Sequence, residues 1–117
     1  MKDVSFFQRI FIATDPVDFR KQAHGLALIL ELQLGLKPTQ GKMLVAFTNR
    51  RRDAIKLLYY DSNGYAMWWK VLEKDRFNWP TSPTQGGCFH VSSRELKWLL
   101  DGVDLNAIKT HTKLQIY

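Results

Sequence analysis

The stretch Ala54-Ile55-Lys56-Leu57-Leu58-Tyr59-Tyr60-Asp61-Ser62-Asn63-Gly64-Tyr65-Ala66-Met67-Trp68-Trp69-Lys70-Val71-Leu72 reads as two β-strands joined by a tight turn. Its aliphatic and aromatic residues suit a pleated, half-buried surface, and Asn63-Gly64 is the dipeptide that most favours a two-residue hairpin loop. Whether the loop is Ser62-Asn63 or Asn63-Gly64, paired residue numbers sum to an odd value, so the two faces come out the same. Lys56, Leu58 and Tyr60 then share a face with Tyr65, Met67, Trp69 and Val71. Ile55, Leu57 and Tyr59 share the other with Ala66, Trp68 and Lys70. Each face carries one lysine among apolar side chains, and one face is expected to pack on helices.

Working outward, residues 43–47 (Met-Leu-Val-Ala-Phe) are a third strand-like run, so residues 42–72 form a meander. Residues 9–13 are a short β-prone run closed by Thr14-Asp15-Pro16, with the proline placed to open a helix over residues 16–34. At 100° per residue, Phe19, Ala23, Leu26, Ile29, Leu30 and Leu34 fall on one arc, and Arg20, Lys21, His24 and Glu31 fall opposite. Leu28 and Leu32 land on the polar side, where they are expected to cover a partner chain or another element. Gly35 marks the end of this helix.

Downstream, Phe77-Asn78-Trp79-Pro80 reads as a short strand ended by proline, residues 81–87 as a loop, and residues 89–91 as a small strand. Ser92 and Glu95 have the spacing of a capping box, opening a helix over residues 93–101 that stops at Gly102. Trp98 points away from its apolar stripe, level with Arg94. Residues 108–117 alternate loosely, as an edge strand or a mobile tail. The expected fold is α+β: an antiparallel β-meander sheet with two main helices packed on one face, in a single domain covering residues 1–117.

Seventeen Lys and Arg against eleven Asp and Glu give a net charge of +6, a balance that favours polyanionic partners. Arg50, Arg51 and Arg52 sit together in the polar break between two strands, where a connecting loop lies at the surface. Guanidinium forks fit phosphate oxygens. The alternative is a solvated loop in which Arg50 or Arg52 pairs with Asp53 or another local carboxylate. Tyr59, Tyr60, Tyr65, Trp68 and Trp69 are mainly core candidates; as stacking platforms for unpaired bases they would need Lys56 and Lys70 to emerge beside the rings.

Catalysis finds little support. Asp15, Asp18, Asp53, Asp61, Asp75 and Asp104 fall largely in turns and helix starts rather than in a metal-binding cluster. Cys88-Phe89-His90 offers two ligands one residue apart, with His24 and His111 distant, too few for a structural zinc site. No cofactor or metal is expected. A lone cysteine makes no internal disulfide, no apolar run is longer than that of residues 26–30, and no signal-peptide pattern opens the chain. A cytoplasmic protein away from membranes is expected.

Phe47-Thr48-Asn49-Arg50-Arg51-Arg52-Asp53, then Ile55-Lys56-Leu57-Leu58-Tyr59-Tyr60-Asp61, then Asn63-Gly64, form a distinctive block. It resembles the TnpB accessory-protein family, the second open-reading-frame products of the sixty-six family of bacterial insertion sequences. The resemblance extends through Pro16-Val17-Asp18-Phe19-Arg20-Lys21 with Gly25-Leu26, Phe77-x-Trp79-Pro80, and Leu96-x-x-Leu99-Leu100-Asp101-Gly102-Val103-Asp104. Lys70-Val71-Leu72-Glu73 departs from the family's Lys-Arg-Leu-Glu and loses one basic residue. The resemblance implies a small protein encoded with a transposase and needed for transposition.

The expected function is a non-enzymatic transposition accessory that binds DNA through Arg50, Arg51 and Arg52, with Asn49 beside them. Lys56, Lys70, Arg20 and Lys21 are second-rank contributors. The rival is an adaptor that contacts the transposase of the same element, or itself as a homo-oligomer, through Leu28, Leu32, Arg94 and Trp98.

Overall fold

Residues 43–47 are apolar at every position, and a strand with no polar side has to be covered on both faces. The structure, a computed structural model, describes residues 3–39, 41–81 and 87–103, and the backbone of 115 and 116. After a 3₁₀ turn at Val4–Phe6 come β1 (Arg9–Ala13), α1 (Ala23–Ile29, prolonged by a π-helical turn at Leu30–Leu34) and β2 (Met43–Thr48). They are followed by β3 (Ala54–Asp61), β4 (Gly64–Val71), β5 (Cys88–Val91), α2 (Ser93–Leu100) and β6 (Gln115–Ile116). The strands form one sheet in the order β4-β3-β2-β1-β5-β6. Only β1 and β2 are parallel; the other neighbours run antiparallel.

The α+β class and the antiparallel meander of β2, β3 and β4 follow the sequence reading. Asp61 pairs with Gly64, leaving Ser62-Asn63 as the hairpin loop, and Ser62 at φ 53° supplies its left-handed residue. Leu57 opposes Trp68 and Lys56 opposes Trp69, so both faces of the hairpin carry the expected residues. Ser92 Oγ accepts the Glu95 N–H at 3.1 Å while the Glu95 carboxylate accepts the Ser92 N–H at 2.8 Å, completing the capping box.

The helices correct the expectation of a single covered face. Parallel strands need a crossover, and α1 is the crossover between β1 and β2. Its Leu26, Ala27 and Leu30 bury against Phe11, Val45, Phe47 and Leu58. Leu96 and Leu99 of α2 bury instead with Ile10, Ile12, Leu44, Ile55 and Leu57, on the opposite side of the sheet. The two helices lie on opposite faces because β2 and β3 carry apolar side chains on both.

Two local expectations also change. The helix foreseen from residue 16 begins at Ala23. Val17 N–H donates to the Thr48 carbonyl at 2.9 Å and Asp18 accepts the Arg20 N–H at 2.9 Å, so the stretch before the helix is held as a strap across the end of β2. Residues 77–80 form no strand: Phe77 and Trp79 are buried, and Trp79 Nε1 donates to the Ala13 carbonyl at 2.8 Å. Within residues 108–117, Gln115 and Ile116 pair with His90 and Phe89. The rest of that stretch, like Asp104, lies outside the described residues.

Leu26 and Leu96 are each fully buried, on different faces. Leu26→Ala and Leu96→Ala should each lower unfolding free energy by about 2–5 kcal/mol. Because the sites share no packing cluster, urea titration of the double variant should give the sum of the two losses to within about 0.5 kcal/mol. Strong coupling between them would contradict the two-faced packing.

Candidate nucleic-acid interface

The β2–β3 connection is a turn built by Asn49. Its Oδ1 accepts the N–H groups of Asp53 at 3.2 Å and Ala54 at 3.3 Å, its Nδ2 donates to Asp53 Oδ1 at 2.7 Å, and its carbonyl accepts the Arg52 N–H at 3.1 Å. Thr48 Oγ1 closes the base of the loop on the Ala54 carbonyl at 2.9 Å. Asn49 is thus the turn former, its amide engaged inside the loop rather than offered to a ligand.

That turn separates the three arginines. Arg50 and Arg51 are exposed, whereas Arg52 is half-buried in the left-handed region at φ 61°. The Arg52 carbonyl accepts the Phe77 N–H at 2.8 Å, so this residue faces the segment after β4. Arg51 Nε lies 3.8 Å from Asp53 Oδ2, a long and exposed contact of little energetic weight. Arg50 has no carboxylate partner among the described residues.

Lys56 organises the neighbouring strap. Although it is only 1% exposed, its ammonium donates to the carbonyls of Phe19 at 2.7 Å and Lys21 at 3.1 Å. It also lies 4.8 Å from the Phe19 ring centroid and 4.7 Å from that of Trp69. Burial pushes the Lys56 ammonium below the usual lysine range, and the Asp18 carboxylate pulls it partway back. Lys56 therefore does not emerge beside the rings as a phosphate contact; it is a structural cation.

The strap and the turn enclose an open cleft of about 420 Å³ lined by Pro16, Val17, Asp18, Phe19, Arg20 and, across from them, Asn49, Arg50 and Arg51. Arg20, distant in sequence from the loop, is thereby brought to two of its arginines. Arg20 and Asp18 form a bidentate pair, with Nε 3.0 Å from both carboxylate oxygens and one terminal nitrogen 2.6 Å from Oδ2. These hydrogen bonds hold the Asp18 carboxyl down at about 2. The cleft is thus lined by three arginines and one aspartate, a net positive site in which the Arg20 fork is already engaged by Asp18.

Lys21 is exposed and follows Arg20 but lies outside the cleft lining. Lys70 sits on the other face of the sheet, where its ammonium donates to the Leu100 carbonyl at 3.3 Å, neutralising the C-terminal end of α2. Leu28 and Leu32 are 56% and 78% exposed on the outer side of the α1 region. Arg94 and the half-buried Trp98 line a separate hollow with Ser92, Ser93 and Glu95. Of the aromatic candidates, Tyr59 is buried, Trp68 packs toward α2, and Tyr65 packs on Tyr60 and His24. Trp69 stands out at 57% exposed. Sequence reasoning missed Phe19 as a cleft wall and Lys74 and Arg76, which line a second hollow with Lys70 beside the Arg52-bound Phe77. The Asp18-x-Arg20 spacing was the available signal for the strap.

Cys88 is buried in the α1-side core and His90 stacks on Phe11 at 5.1 Å. Among the described residues no three His, Cys, Asp or Glu side chains are grouped to hold a metal, and no helix is long and apolar enough to cross a membrane.

A family model described as IS66 Orf2 like protein matches residues 8–110. The chain is 35% identical over 101 residues to uncharacterized protein y4jC of Sinorhizobium fredii, covering 86% of this chain and 84% of that protein. It is 34% identical over 96 residues to uncharacterized protein y4hO of the same organism, covering 82% and 81%. No solved structure gives a significant match.

Because Asp18 is held near 2 by Arg20, the contribution of this pair to stability is present above the ordinary carboxylate range and is lost as pH falls through about 2. A carboxyl-carbon NMR titration should place Asp18 near that value. In Arg20→Gln, which lacks the guanidinium, the midpoint should return toward the ordinary carboxylate range.

Proposed function

The chain belongs to the IS66 Orf2-like family, a family of transposition-associated accessory proteins, and from that premise we propose that it acts by binding DNA without catalysing a reaction of its own. The observation that carries the reading is the convergence of Arg20, Arg50 and Arg51 on one cleft. These residues come from segments about thirty positions apart, and guanidinium groups around an open cleft suit successive phosphates better than a small enclosed ligand. The overall charge of +6 adds a long-range attraction to any polyanion. In a bacterial cell such a protein works in the cytoplasm, beside the element's DNA and its transposase.

A second reading rests on α1. Leu28 and Leu32 are one helical turn apart, and both are bare to solvent on the face turned away from the sheet. They are positioned to contact the transposase of the same element or a second copy of this chain. The two readings involve different surfaces and are separable by mutation.

Arg50→Glu/Arg51→Glu should retain the wild-type melting temperature, since both side chains are exposed. By fluorescence anisotropy across a salt series it should lose DNA affinity, and the slope of log K against log salt should flatten by roughly 1.8 on duplex DNA, about 0.9 for each phosphate contact removed. Equal binding by both proteins would move the site elsewhere. Leu28→Glu/Leu32→Glu should leave DNA binding intact and abolish co-purification with the transposase; unchanged co-purification would exclude this face as the contact.

A further inference from the structure

Trp69 is an exposed tryptophan in a strand whose neighbouring aromatic side chains are mostly covered, and it is held from behind. Lys56 is buried, so its ammonium, 4.7 Å from the indole centroid, occupies the inner side of the ring. Phe19 meets the indole edge-to-face at 6.4 Å and 79°. A ring braced in this way loses little side-chain freedom when a ligand settles on its outer side.

Phe19 has two neighbourhoods: it packs against Trp69, and it also forms the wall of the cleft that carries Arg20, Arg50 and Arg51. One side chain therefore separates a group of surface arginines from a bare aromatic surface, and these arginines, rather than the carbonyl-bound Lys56 and Lys70, supply the cations beside the ring. A cationic track beside an aromatic platform is the arrangement by which proteins hold unpaired nucleic-acid strands, because every base has a π-face to stack and every nucleotide a phosphate to neutralise. Internal bases of a duplex keep their faces in the helical stack and cannot use it.

We propose that Trp69, braced by Phe19, is a stacking platform for an unpaired base of a DNA strand whose phosphates lie on Arg20, Arg50 and Arg51. The proposal rests on the DNA-binding reading of the arginine cleft and adds that the strand bound there is single-stranded or locally unpaired. Lys56 is a positioning residue for this platform: it touches no ligand and fixes both rings. Val71, on the same face of β4 and 58% exposed, continues the apolar surface past the indole.

The test uses the full chain with fluorescently labelled oligothymidine and a labelled hairpin duplex of matched charge, over a salt series. Trp69→Val keeps a strand-forming residue without a ring, and Trp69→Phe keeps a ring. Trp69→Val should weaken oligothymidine binding by roughly 5- to 150-fold, the factor equivalent to about 1–3 kcal/mol per stacked base. Its salt slope and its duplex affinity should not change, and Trp69→Phe should recover much of the loss. Oligothymidine should also quench a part of the wild-type tryptophan emission that is missing in Trp69→Val. Unchanged oligothymidine affinity and quenching in Trp69→Val, with binding still lost in Arg50→Glu/Arg51→Glu, would overturn the platform and leave the arginine site standing. Binding of neither DNA by the wild type would overturn both.

Discussion

The Lys56 ammonium sits inside the protein on the carbonyls of Phe19 and Lys21, between the rings of Phe19 and Trp69. An unpaired cation at that depth costs several kcal/mol, so the surroundings of Lys56 have to supply acceptors. Hydrogen bonds to a charged group contribute about 1.5–3 kcal/mol each, which makes two carbonyls and two ring faces an adequate replacement for water. Carbonyls aimed at a side chain are withdrawn from helical hydrogen bonding. The strap consequently stays out of the helix until Ala23, with a turn in which the Lys21 N–H donates to the Asp18 carbonyl at 3.0 Å, and this non-helical path carries Arg20 to the arginine turn.

The same constraint explains the order of layers. A helix beginning at Pro16 would have carried Phe19 and Arg20 around its axis; the strap instead lays Phe19 over the hairpin and leaves Arg20 at the rim. The crossover then has to cover the β1–β2–β3 face with a short α1, whose last turn widens to a π-helix and closes at Gly35, φ 66°. Leu28 and Leu32 remain outside because the covered stripe is fully occupied by Leu26, Ala27 and Leu30. On the far face, α2, the 3₁₀ turn and the buried Phe77 and Trp79 complete the second layer.

The basic residues divide into two kinds by what surrounds them. Lys56 and Lys70 each reach backbone carbonyls, one at the strap and one at the end of α2, and they stabilise the fold. Arg50, Arg51 and Arg20 stay at the surface, the first two without a burying contact and the third paired with the exposed Asp18. Asn49 and Arg52 stand between: the first shapes the turn with its side chain, and the second ties the turn to Phe77 through its carbonyl. A positive residue count by itself does not distinguish these roles.

Local chemistry was legible in the sequence alone. The hairpin and its two faces followed from the Asn-Gly signal and the period of two, with the choice between a Ser62-Asn63 and an Asn63-Gly64 loop left to the structure; the α2 start followed from Ser92 and Glu95, and the outward aim of Leu28 and Leu32 from the helical period. Each of these depends on residues a few positions apart, whose geometry the backbone dictates. The family resemblance was legible for a similar reason, being carried by short motifs in a fixed order. The tertiary structure alone decided the parallel pairing of β1 with β2, the placing of the helices on opposite faces, and the burial of Lys56. It also decided which arginines share a cleft. These depend on contacts between segments far apart in the chain, and a lysine in an apolar strand looks the same in sequence whether water or a backbone carbonyl awaits its ammonium.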